Sequence, residues 1–239
     1  RQRQMCIRDS LMGVIYIFVG FLFIQRDLGT AAIFIAIYTL IQDIYDEDRV
    51  SILVNVGLMA IGSVAGYFLF SHVRNRVDIW LNPWTADKVV NSARQIVQSL
   101  FGIGEGGFIG QGIGLGYPKQ IAFAYSDVIF SAICEEMGVL TGIGIIMLYM
   151  LLVYRAIKIA LNQEYLFYRI LALSVAILFT VQAFLNIGGV IKLIPMTGLT
   201  LPFISYGGSS LISSFVALGI LQVTSEDLSY KYEKGVDNE

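Results

Sequence analysis

The sequence predicts an all-α, polytopic membrane protein with about six transmembrane helices and one large extracellular loop. Two observations carry that prediction. The 239-residue chain is 56% hydrophobic and only 14% charged, with a mean hydropathy of +0.71, whereas a water-soluble domain carries about a quarter charged residues. The apolar residues are also gathered into uncharged runs at 51–71, 137–154, 170–191 and 203–224. Each is about 18 to 22 residues long, enough to cross about 30 Å of hydrocarbon as a helix. A soluble bundle with long buried helices is the competing reading.

Taken in order, the opening "RQRQMCIRDS" lacks the layout of a signal peptide and reads as a foreign or unstructured segment, 1–10. A single membrane domain is expected over 11–224, followed by a cytoplasmic tail, 225–239. Runs 11–24 and 28–41 are shorter and are separated only by "QRD". They read as two tilted or truncated spans, or as one broken pair. An acidic turn, 43–50, leads to the span at 51–71. The connection 72–125 is far longer than usual, and such loops are commonly functional. It carries Trp80, Pro83 and Trp84, an amphipathic stretch "SARQIVQSLFGI" and a glycine run; tryptophan suits a membrane interface.

Orientation follows from the loop 155–169, where Arg155, Lys158 and Arg169 face a single Glu164. The excess of basic residues places it in the cytoplasm. Counting spans from there puts 25–27, 72–125 and 192–202 outside, although the acidic 43–50 turn lends the rule no support. Asp27, the long loop, Asp127 and the 195–202 segment then converge on the outer face. A net charge of −2 without a basic stripe gives no sign of nucleic-acid binding. Two cysteines, Cys6 and Cys134, imply no disulfide framework. One histidine, His72, forms no metal-ligand cluster.

Three stretches hold the candidate chemistry. "FAYSDVIFSAICEEMG" (123–138) brings Asp127, Glu135 and Glu136 within ten positions. On a continuous helix Glu135 sits about 12 Å beyond Asp127 and about 80° round, and Glu136 about 180° round. The two glutamates therefore do not share one partner. Carboxylates at membrane depth are costly unless paired, protonated or hydrated. Asp127 reads either as functional or as a helix start that complements the dipole. Glu135 and Glu136 read as struts, with Lys192 in "GGVIKLIP" a candidate partner.

"FGIGEGGFIGQGIGLG" (101–116) has spellings like a dinucleotide fingerprint, but no strand precedes it, so that reading is rejected. Either a tight turn needing positive φ or an anion-binding nest fits, with Lys119 close behind. In "IPMTGLTLPFISYGGSS" (194–210), Pro202 suits a first helical turn. Ser205, Ser209 and Ser213 recur every four residues as a small polar packing face. Tyr206 and Ser209 are candidates to line a cavity.

"QRDLGTA" (25–31), "GGFIGQGIGLG" (106–116), "SDVIFSAICEEMGVL" (126–140), "NIGGV" (186–190) and "PMTGLTLPFISYGGSSL" (195–211) occur in one order. Together they resemble the SEDS family, the FtsW/RodA/SpoVE proteins of bacterial cell-wall synthesis, over about residues 11–224. Family members have about ten spans, so the resemblance implies the C-terminal six.

It further implies an inverting peptidoglycan glycosyltransferase that polymerises lipid II at the outer face of the bacterial cytoplasmic membrane. Its partner would be a class B penicillin-binding protein, in division or cell-shape maintenance. The family's catalytic aspartate lies in an "H-T-D-F-I-F" setting. Here the setting is "Y-S-D-V-I-F", so Asp127 carries over as the catalytic candidate, with Tyr125 and Ser126 replacing histidine and threonine. The departing pyrophosphate would be met by Lys119, Arg74, Arg76 and the glycine run with Gly112 and Gly114, or by a divalent cation (Mg2+ or Mn2+) at Asp127. Asp27, Glu135, Glu136 and Lys192 are expected to be structural or pairing residues. A lipid-linked precursor flippase and a non-catalytic scaffold for the penicillin-binding protein are the alternatives.

Overall fold

The computed structural model describes residues 2–45, 49–85, 93–116, 121 and 124–236, and these are helical with no strands among them. Four helical stretches are long and apolar enough to cross a membrane: Ile52–Leu69, Ile129–Asn162, Leu166–Val190 and Gly208–Ser225. Two further apolar helices, Met12–Ile24 and Gly29–Ile44, are shorter. The chain divides into two compact units, Arg1–Arg76 and Val77–Glu239.

The first unit is a run of hairpin-connected helices, α1 (Gln2–Ile24), α2 (Leu28–Tyr45) and α3 (Arg49–Leu69). The turn between α1 and α2 needs Arg26 at φ 65°. Asp27 then caps α2: its carboxylate accepts the Thr30 amide at 3.1 Å and the Thr30 hydroxyl at 2.6 Å. That satisfies one of the orphan donors every helix start exposes. Polar side chains tie the three helices together where apolar contact gives little driving force in lipid. The Tyr16 hydroxyl donates to Asn55 Oδ1, and Asn55 Nδ2 donates to Gln42 Oε1 at 2.6 Å.

In the second unit, α5 (Arg94–Gly106) packs on α6 (Ile129–Asn162). Helix α7 (Leu166–Val190) lies against α6 and α8 (Gly208–Val236). Helix α4 (Ser71–Leu81) crosses the boundary between the units. Among its described residues, the 72–125 connection thus contains two helices. The amphipathic stretch noted in the sequence becomes α5, which buries Ile96, Val97, Ser99, Gly102 and Gly106 at helical spacing. Helix α7 is the central member, with Ala172, Val175, Ala176, Phe179, Ala183 and Val190 buried. Its small residues let neighbouring backbones approach closely.

Helix α8 starts at Gly208, five residues later than the apolar run begins, because Pro202 and Phe203 (φ 64°) form a turn before it. Ser205 is therefore off the helix, and Ser209 and Ser213 are exposed. The packed face instead runs through Ser214, Ala217, Leu221 and Thr224.

Candidate active site

Asp127 lies in the turn that leads into α6, whose first residue is Ile129. It is half-buried, between exposed Tyr125 and fully buried Val128. Three successive carbonyls of this turn are held by residues far along the same chain. Tyr125 O accepts the Tyr206 amide at 2.8 Å, Ser126 O accepts the Ser205 hydroxyl at 2.6 Å, and Asp127 O accepts Asn186 Nδ2 at 2.9 Å. The aspartate side chain thus projects from a backbone fixed at three consecutive positions. Loop segments with irregular backbone need such partners when they are buried.

The other wall is the segment between α7 and α8, residues 191–207. Its bends use positive φ at Lys192 (63°), Gly198 (77°) and Phe203 (64°). Side chains from two helices hold its carbonyls. Tyr149 of α6 donates to Pro202 O, Gln182 of α7 donates to Thr200 O at 3.1 Å, and Asn186 donates to Leu199 O at 2.5 Å. Ser210 of α8 lies 2.7 Å from the Thr200 hydroxyl. Ser205 is the junction of the two walls, because its oxygen also accepts the Leu201 amide at 2.7 Å. We therefore expect Ser205→Ala to strand a buried amide and a carbonyl together, costing about 1–3 kcal/mol. A thermal midpoint in detergent equal to that of the parent protein would contradict this.

The glycine run performs a different task. Helix α6 is broken at Gly138 (φ 84°, ψ 162°), and residues 107–112 are spliced into the gap. In an unbroken helix the Val139 and Leu140 amides would bond to the Glu135 and Glu136 carbonyls. Here Val139 N donates to Gly107 O at 2.9 Å and Leu140 N to Phe108 O at 3.3 Å. The freed carbonyls accept in turn from Gln111 N (3.0 Å) and Gly112 N (2.9 Å). All four helix groups are re-satisfied by a second piece of chain. The approach is so close that a Cβ on Gly106 would lie 2.0 Å from Cys134 O, and one on Gly110 2.3 Å from Glu136 O.

The sequence-predicted residues now take definite places. Glu135 is 2% exposed, and its carboxylate lies against Gly102 of α5 and Gly116, where added Cβ atoms would come within 3.2 and 3.1 Å. Glu136 is half-buried and accepts the Gly114 amide at 3.2 Å. Because α6 begins after Asp127, the angles reckoned from Asp127 along a continuous helix do not apply. Both glutamates border the one glycine-rich segment, which wraps this end of the helix. Gly112 and Gly114 have the positive φ expected of tight turns, 106° and 78°, and their amides are bonded to Glu136.

Lys192 meets Trp80 through its carbonyl, which accepts the indole N–H at 3.1 Å. Tyr206 is exposed and stacks edge-on with Tyr125, ring centres 6.0 Å apart, while Ser209 is exposed at the start of α8. Arg74 and Arg76 belong to the first unit, where the Arg74 guanidinium donates to Phe68 O at 3.1 Å and sits over the Tyr67 ring. Lys119 lies outside the described residues.

Among the described residues, no three His, Cys, Asp or Glu side chains gather as a metal site. A divalent cation of the magnesium or calcium type draws on several oxygen ligands. The residues described around Asp127 do not supply such a set. Asn186 is the contributor that motif reading missed, and Ser205, read as part of a helix-packing face, instead holds the Asp127 turn. A carboxamide inside the otherwise apolar α7 was the available signal for the first.

The arrangement is that of a helical protein built to cross a membrane, with a carboxylate set on a rigid turn at the entrance to an apolar helix. The chain matches the FtsW/RodA/SpoVE cell cycle protein family over residues 2–230, and it belongs to that family. It is 35% identical over 211 residues to the peptidoglycan glycosyltransferase RodA of Mycobacterium tuberculosis, covering 88% of this chain and 45% of that protein. It is 37% identical over 211 residues to the stage V sporulation protein E of Bacillus subtilis, covering 86% and 57%. A solved structure described as "Structural coordination of polymerization and crosslinking by a peptidoglycan synthase complex" superposes with a TM-score of 0.71 at 29% identity. That match covers 88% of this chain and 59% of the solved chain. The chain thus spans about half the length of the curated relatives it matches.

Proposed function

We propose that the complete protein is a peptidoglycan glycosyltransferase of the bacterial cytoplasmic membrane that extends glycan strands from lipid II, with Asp127 as its general base. The observation that carries this reading is the clamped turn 125–127, which holds one carboxylate at a helix entrance beside an exposed aromatic pair. The acceptor sugar's 4-hydroxyl attacks the anomeric carbon of the donor as Asp127 takes its proton. The C–O bond to the polyprenyl pyrophosphate breaks with inversion, and the pyrophosphate leaves carrying the electron pair. A carboxylate held at a fixed position beside the attacking hydroxyl is suited to take its proton. Lys119 is the cation proposed to offset charge on the leaving group.

The relatives' names support the activity, and the solved peptidoglycan synthase complex supports a crosslinking partner of the class B penicillin-binding type. Outer-face chemistry follows from the basic 155–169 loop. The test is reconstitution of the complete protein in vesicles with fluorescent lipid II. Polymer on gels supports the reading. Lipid II crossing the bilayer without polymer would make the protein a flippase. Polymer only from an active partner enzyme would make it a scaffold.

A further inference from the structure

We propose that Asn186 is a positioning residue for Asp127, a reading that rests on Asp127 being the base. Its side chain is 4% exposed, on the packed face of α7 close to the helix's C-terminal end. Nδ2 donates to Asp127 O at 2.9 Å and to Leu199 O at 2.5 Å. Both neighbours are carbonyls, so the amide can be oriented in only one way, with nitrogen toward them. Its own Oδ1 is left buried without a hydrogen-bond partner.

Buried acceptors are rarely left unsatisfied, and each one asks for an explanation. Here the fold keeps a stranded oxygen in order to place two N–H donors between the base-bearing turn and the 191–207 segment. The bridge joins the backbone of Asp127 itself to a transmembrane helix and to the opposite wall. Ser205 and Tyr206 hold the preceding two residues from that wall. Asn186 therefore sets the distance between the carboxylate and whatever the other wall holds. A displacement of about 1 Å at a reacting group can cost about a hundredfold in rate.

The experiment uses the complete protein with lipid II, comparing Asn186→Leu, Asn186→Asp and Asp127→Ala by steady-state kinetics across pH and by thermal midpoint. Asn186→Leu should lower kcat by about thirtyfold or more, with KM for lipid II within about threefold of the parent. Asn186→Asp should be intermediate and should show an alkaline limb absent from the parent. A buried carboxyl between two carbonyls keeps its proton and can donate one O–H. Raising the pH through its elevated pKa removes that donor, so activity falls.

A kcat for Asn186→Leu within threefold of the parent, or a rise in KM alone, would overturn the proposal. If Asn186→Leu does not fold, Asn186→Asp decides, and a pH profile parallel to the parent's would overturn it. Full activity in Asp127→Ala would remove the base assignment itself, and the positioning role with it. Loss of activity in Asp127→Ala beside an unaffected Asn186→Leu would remove only the role of Asn186.

Discussion

Replacing Asp127 by asparagine is expected to lower glycan polymerisation by the complete protein about 10²- to 10⁴-fold, the range a positioned general base contributes. The substitution keeps the size of the side chain and leaves the Asp127 carbonyl free to accept Asn186 as before. The clamped turn should survive, so the thermal midpoint should stay within a degree or two of the parent. Loss of rate without loss of stability separates a chemical role from a helix-start role. A helix-start aspartate contributes stability of about 0.3–1 kcal/mol and no rate. Polymerisation by Asp127→Asn at more than a tenth of the parent rate would show that the proton goes elsewhere.

Gly138→Ala should have the largest effect on stability. The residue has φ 84°, where a Cβ-bearing side chain is strained, and its Cβ would lie 2.2 Å from Phe108 O. No flexible side-chain end can move aside, because the obstacle is backbone already bonded to Leu140 N. Strain of about 1–2 kcal/mol adds to overpacking of about 1–3 kcal/mol, so a loss of about 3 kcal/mol or more is expected. Gly144→Ala is the comparison, since nothing lies within 4 Å of its added methyl. That change should be neutral or stabilising by up to about 1 kcal/mol. Equal thermal midpoints for the two variants would show that the splice does not hold α6 together.

How much of this was legible in the sequence differs from element to element. Uncharged runs give the four long spans directly, because length and charge alone decide whether a helix can cross hydrocarbon. The end of α6 was also close to hand. The run beginning at residue 137 starts one residue before the break, and the glycines at 106–116 announce positive φ. Their partner was not legible. Nothing local says that a glycine run bonds to a helix about 25 residues later, since that depends on α5 folding back onto α6. The serine face failed for a related reason. A period of four was read over Ser205, Ser209 and Ser213, but Ser205 lies in the turn before Gly208, where the chain has no helical phase. Asp127 was recognised by its motif, whereas Asn186 and Ser205 matter through contacts 59 and 79 residues away in the chain.

The break at Gly138 has a mechanical meaning. Residues 129–137 are joined to the shaft that follows by one glycine backbone, by the Thr141 hydroxyl on the Met137 carbonyl, and by hydrogen bonds that run through residues 107–112. Residues 129–137 should therefore travel with α5 as one lever, and the Asp127 turn at their tip should travel with them. Pushing on the exposed Phe108 and Ile109, which ride on the same splice, is a way to tilt that lever without touching the carboxylate. In such a device, a contact made at the rim is felt at the base.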